Sequence, residues 1–149
     1  MQGLRKWFGM VLVVALVAVP LVAGLWQPAV ADPSDLILGD VVWARITHGA
    51  GGFTAAQRIV FVRKRIVNIL SVQRFNSSKT VFVNATAMGS SAVITVGDLT
   101  GGPTYLVVTV TPADAMGQMA DAHQLASQWA SNLVRGLDKA MPASHWNVH

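Results

Sequence analysis

The chain has no cysteine and no glutamate. Without cysteine there are no disulfides and no thiolate metal ligands, and a lipid-anchored lipoprotein is excluded. Without glutamate, seven aspartates are the whole supply of acid. Most fall where backbone geometry asks for them: Asp40 in a Gly-Asp pair, Asp114 and Asp121 at the starts of expected helices. Paired catalytic carboxylates therefore have no evident source. No G-x-S-x-G is present, and Ser90-Ser91 has no identifiable His-Asp partner. Nothing here signals an enzyme, and no catalytic, cofactor-binding or metal-binding residue is expected.

Long apolar runs are confined to the N-terminus. Arg5 and Lys6 precede an almost wholly apolar stretch over residues 10–26, and Ala29-Val30-Ala31 follows as a small-x-small site. This is the layout of a secretory signal peptide cut between Ala31 and Asp32. The alternative is an uncleaved membrane anchor, for which 17 apolar residues, interrupted by Pro20 and Gly24, stand at the lower limit. Either way the positive n-region stays inside and residues 32–149 are exported, to a periplasm or a thylakoid lumen. Two of the eleven Lys and Arg belong to the leader, which leaves nine against seven acids. The high isoelectric point is thus no sign of a nucleic-acid partner. The sequons at Asn76 and Asn84 carry no weight in a bacterial-looking exported chain. Oligomeric state is not legible.

The mature part reads as one domain over residues 32–141, with a flexible tail over 142–149. Residues 36–46 give two short strands around Gly39-Asp40, a pair suited to a two-residue hairpin turn. Residues 54–73 give a helix: Thr54 and Gln57 form a capping box, and Ile59, Val62, Ile66, Ile69 and Leu70 form one apolar stripe. Strands follow at 79–87, 91–97 and 104–111, rich in β-branched residues and joined by short links. Thr111-Pro112-Ala113-Asp114 starts a short helical piece. A last helix runs from Asp121 to Ala140 with Ala122, Leu125 or Ala126, Trp129, Leu133 and Leu137 buried. The expected fold is α+β: a small, mostly antiparallel sheet of about five strands in the order β-β-α-β-β-β-α. Two main helices pack on one sheet face, and an apolar signal helix precedes them.

The glycine loop Gly49-Ala50-Gly51-Gly52 stands between a strand and a helix, where a phosphate cradle would stand. A P-loop needs a Lys after its last glycine, and Ala55 follows Thr54 here. A dinucleotide fingerprint lacks its final glycine and its parallel βαβ setting. What remains is a tight turn, with Gly51, Gly52 and Thr54 as a candidate anion site at the helix N-terminus. Of the four histidines, His145 and His149 are four apart but follow Pro142 and have no third ligand nearby. His48 and His123 read as ordinary polar positions. The most plausible functional surface is basic: Arg58, Arg63, Lys64 and Arg65, with Phe61 on the polar side of the same helix, and Arg74 just beyond it in sequence. Such a face suits a protein partner or an anionic membrane surface, or it is simply solvated.

Three segments together resemble one kind of exported domain: "LILGDVVWARI", "GAGGFTAAQRIVFVRKRI" and "VTPADAMGQMADAHQLASQWASNLVRGL". It is the periplasmic domain that precedes the channel in small-conductance mechanosensitive channel proteins, especially cyanobacterial ones. The matching residues are Gly52, Thr54, Ala55 and Arg58, then Thr111, Ala113, Asp114 and Ala115, then Leu125, Ala126 and Trp129. The acidic residue usual before the helix arginine is Gln57 here. No membrane span is read after residue 140, so the resemblance implies a stand-alone sensor-like or interaction domain without channel activity and without catalytic residues. A small-ligand or anion-binding module at Gly49–Thr54 is the alternative, and an exported enzyme with no sequence-visible site is a further one.

Overall fold

A computed structural model of the chain describes residues 34–72, 81–99, 101–116, 118–142 and 146–148. The leader, its apolar helix, Arg74, Asn76, His145 and His149 lie outside the described residues. Asp32–His149 forms one compact unit with its own hydrophobic core, the property expected of a chain segment that folds independently. Among the described residues its architecture is α+β: a small mixed sheet, a separate two-stranded hairpin and three helices.

The hairpin pairs β1 (Asp35–Leu38) with β2 (Val41–Arg45), antiparallel. Gly39 and Asp40 turn between them with φ of 54° and 64°, the left-handed values that a two-residue hairpin turn requires at both positions. Helix α1 (Ala55–Leu70) follows. Its capping box is formed as the sequence predicts: Gln57 N–H donates to Thr54 Oγ1, and Thr54 N–H donates to Gln57 Oε1 at 2.9 Å. Ile59, Val62, Ile66 and Ile69 are buried on one stripe, and Leu70 is half-buried.

The main sheet has the order β5-β4-β3-β6, built from β3 (Val81–Met88), β4 (Ser91–Asp98), β5 (Tyr105–Val110) and β6 (Trp146–Val148). The pairs β3–β4 and β4–β5 are antiparallel, as short links dictate. Val81, Val83, Ala92, Ile94, Val96, Val108 and Val110 are buried, and the strand registers place them on the same face. Between β4 and β5 the register shifts, so that Ile94 faces Val108 and Thr95 faces Leu106. Val107 is the extra residue of a β-bulge, a device that bends a strand and re-aims its groups.

Helix α2 (Pro112–Ala115) is one turn capped by Thr111. Helix α3 (Ala122–Ala140) is capped by Asp121, whose carboxylate accepts from the N–H groups of His123 and Gln124. Leu125, Ala126, Trp129, Ala130, Leu133, Gly136 and Leu137 are buried. α3 packs against both β2 of the hairpin and β3 and β4 of the sheet, so this stripe is the seam of the core. Burying each large apolar side chain there contributes about 1.5–3 kcal/mol. Gly136 marks a close approach, because a Cβ there would stand 2.8 Å from the Leu38 carbonyl oxygen.

Two expectations are corrected and a third is refined. The strands number six among the described residues and divide into two sheets, since the hairpin packs on α3 and does not join the other strands. The two main helices differ in what they contact: α3 packs on the sheet and the hairpin, while α1 packs along the edge strand β5. The segment 142–149, read as a flexible tail, contains β6, which pairs parallel to Val81–Val83 and buries Trp146. The gain is burial of an indole, which local sequence pattern does not register.

Candidate functional site

The glycine loop folds back on itself. Ala50 N–H donates to Phe53 O at 2.9 Å, and Phe53 N–H donates to Ala50 O at 3.1 Å. Gly51 and Gly52 between them have φ of 61° and 82°, and a Cβ on either would meet nothing within 4 Å. Backbone conformation alone therefore calls for glycine at both positions. The loop is a two-residue turn that brings Phe53 back beside α1. Phe53 and Phe61 meet edge to face with ring centroids 5.1 Å apart, a geometry that the ring quadrupoles favour.

Thr54, expected in an anion site with Gly51 and Gly52, has both its N–H and its hydroxyl engaged in the capping box. Its contribution is to the helix start.

The five residues of the basic surface separate. Arg58 is buried and forms a two-pronged ion pair with Asp114, Nη1 to Oδ1 and Nη2 to Oδ2, each at 2.8 Å. Nη1 also donates to His48 O at 2.6 Å and Nη2 to Thr109 O at 2.9 Å. The Asp114 carboxylate in turn accepts from the Thr111 N–H and hydroxyl. One guanidinium thus joins the glycine loop, α1, β5 and α2, and its charge is matched. Arg65, two helical turns on, is half-buried and donates through Nη1 to Val107 O at 3.2 Å. That carbonyl belongs to the bulge residue. Arg58 and Arg65 together take two carbonyl groups of the edge strand β5, which blunts it against pairing with another strand.

Arg63 and Lys64 remain exposed; Arg63 reaches the Asp35 carbonyl only at 3.5 Å. Phe61 is exposed as expected. With Phe53, Val60 and Val67, also exposed, it gives the outward side of α1 an apolar and basic character. The helix carries no acidic residue. Sequence reasoning missed Phe53, Val60 and Val67. The available signal for Phe53 was its place directly before an N-cap, where an apolar residue commonly packs onto the first turns of the helix.

Between α1, β5 and the glycine loop lies a cavity of about 350 Å³, lined by Ala50, Phe53, Phe61, Val62, Arg65 and Val108 among others. It brings residues of the two sequence-predicted sites, Gly51 of the loop and Arg58, Phe61 and Arg65 of the helix, to one place.

The histidines stay apart. His48 Nδ1 lies 2.9 Å from Thr47 Oγ1, and His123 Nε2 donates to Gly89 O at 3.1 Å. Among the described residues no three His, Cys, Asp or Glu side chains gather as a metal site would need. Nor is any described helix long and apolar enough to cross a membrane.

No curated protein and no solved structure matches the chain. Residues 38–140 match the family described as a domain of unknown function, DUF8459. The chain belongs to that family, and the match spans the hairpin turn, Arg58, Asp114 and the whole of α3.

Proposed function

We propose that this DUF8459 member is a non-enzymatic exported domain that docks on an anionic membrane surface through the outward side of α1. The observation that carries the reading is the division of labour among the cations of that helix. Arg58 and Arg65 are turned inward to Asp114 and to the edge of β5. Arg63 and Lys64 face water beside exposed Val60, Phe61 and Val67. Apolar side chains flanked by basic ones, with no acid on the helix, suit the boundary between lipid headgroups and acyl chains. The leader read from the sequence supports a place beside a membrane, and so does the resemblance to the exported domain of mechanosensitive channel proteins. In this reading the domain serves as a sensor-like or adaptor element and carries no chemistry of its own.

The test is flotation of the purified Asp32–His149 unit with vesicles of phosphatidylglycerol and phosphatidylcholine, against phosphatidylcholine alone. The unit partitions onto the anionic vesicles and is released by salt. Arg63→Glu with Lys64→Glu lowers partitioning by roughly tenfold or more, at about 1 kcal/mol for each basic residue near the surface. Equal partitioning of the double variant would sink the membrane reading. Recovery of a crosslinked soluble protein at Lys64, without vesicle binding, would replace it with a protein partner.

A further inference from the structure

The cavity between α1, β5 and the glycine loop holds an unmatched charge in an apolar setting. Its size, about 350 Å³, falls within the range of about 300–1,000 Å³ typical of small-molecule sites. Ala50, Phe53, Phe61, Val62 and Val108 supply apolar walls. Two guanidinium groups reach it, and they differ in what they offer. Arg58 is neutralised by Asp114 and spends both terminal nitrogens on that carboxylate and on carbonyl oxygens. Arg65 donates to a carbonyl, Val107 O, which accepts a hydrogen bond without cancelling a charge. Among the described residues no carboxylate forms an ion pair with Arg65.

We infer that this cavity is a binding site for a small amphiphilic carboxylate, its head group on Arg65 and its apolar body between the Phe53–Phe61 pair and Val108. The planar fork of a guanidinium matches a carboxylate with two donors. The walls favour an apolar body, and the residual positive charge favours an anion over a neutral molecule of the same shape. The bulge at Val107 serves the site by aiming a carbonyl at Arg65 and so fixing where its side chain stands. The anion is held by this side chain, with the glycine loop forming one wall through Ala50 and Gly51.

The site shares Phe61 with the docking face, and its test is kept apart from vesicle docking by using soluble probes in the absence of lipid. Decanoate and decanol have the same chain and differ in charge. Titrated into the Asp32–His149 unit by calorimetry, decanoate binds at least about tenfold more tightly than decanol, the equivalent of one charge-assisted hydrogen bond. Arg65→Gln brings decanoate down to the affinity of decanol and leaves decanol unchanged. Ala50→Phe fills the cavity and abolishes binding of both. Should that variant fail to fold, cross-peaks in nuclear magnetic resonance between the decanoate chain and Phe53, Phe61 and Val108 of the unaltered protein give the same reading. Equal affinity for decanoate and decanol, decanoate binding that survives Ala50→Phe, or cross-peaks to other residues would overturn the inference. A decanoate complex in a protein that ignores vesicles leaves this site standing and removes only the membrane reading.

Discussion

Two ion pairs of the same chemistry hold two regions of this molecule, and they differ in burial and in reach. In the hairpin, Arg45 Nε and Nη2 donate to the two oxygens of Asp35 at 2.6 and 3.1 Å, across strands only ten residues apart in sequence. At the junction of α1 and α2, Arg58 meets Asp114 at 2.8 Å on both prongs, 56 residues away. The Arg45 side chain is 54% exposed, against 9% for Arg58. Asp35 is itself only 7% exposed, but water reaches the Arg45 guanidinium and can solvate it once Asp35 is gone. The second is sealed, so each partner depends on the other. Removing the buried member of a half-exposed pair leaves a charge that water can solvate, whereas removing one member of a fully buried pair leaves an uncompensated charge in a medium of low dielectric constant. The hairpin pair therefore reinforces a contact that the turn already fixes, while the junction pair joins elements that nothing local brings together.

The largest effect expected from breaking this comparison is at the junction. Asp114→Ala strands the Arg58 guanidinium and removes the acceptor for the Thr111 N–H. It should cost about 3–5 kcal/mol, read as a lowered midpoint of urea denaturation; a loss below that of Asp35→Ala would contradict the assignment. Next come the two turns. Gly39→Ala places a Cβ 2.6 Å from Lys139 Cβ and 2.7 Å from the Gly136 carbonyl oxygen, at a φ of 54°. Gly51→Ala meets only the backbone penalty, about 1–2 kcal/mol, because nothing lies within 4 Å. Thermal melts of the two variants should rank Gly39→Ala as clearly the more damaging, and the reverse order would mean that the hairpin does not rest on α3. The smallest effect is Asp35→Ala. It leaves Arg45 largely in water and should cost about 0–1 kcal/mol, so a loss as large as that of Asp114→Ala would erase the distinction between the pairs.

Much of the backbone was legible because its causes are local. The capping box of Thr54 and Gln57 spans three residues. The Gly39-Asp40 turn needs only two left-handed positions. The stripes Ile59–Ile69 and Ala122–Leu137 follow helical period, and all the residues named for α3, Leu125 and Ala126 both included, are buried. The candidate site was legible only in outline. Gly51, Arg58, Phe61 and Arg65 were named, but Phe53 was missed, and Arg58 and Arg65 were grouped with Arg63 and Lys64 on a single basic surface. A run of cations on a helix does not reveal which of them face an edge strand, because that depends on where β5 and α2 come to rest. Strand β6 was read as a tail for the same kind of reason: three residues carry too little pattern, and their partner β3 lies more than 60 residues away in sequence.

The sequence by itself determined the turns, the caps and the apolar stripes of the helices, since each arises from residues within one or two turns of one another. Tertiary structure alone decided that Arg58 belongs to Asp114, that Arg65 meets the bulge at Val107, and that Phe53 closes on Phe61 over a cavity. Those contacts set which charges are cancelled and which are left for a ligand. Charge cancellation depends on distance in space, and the chain order does not encode it.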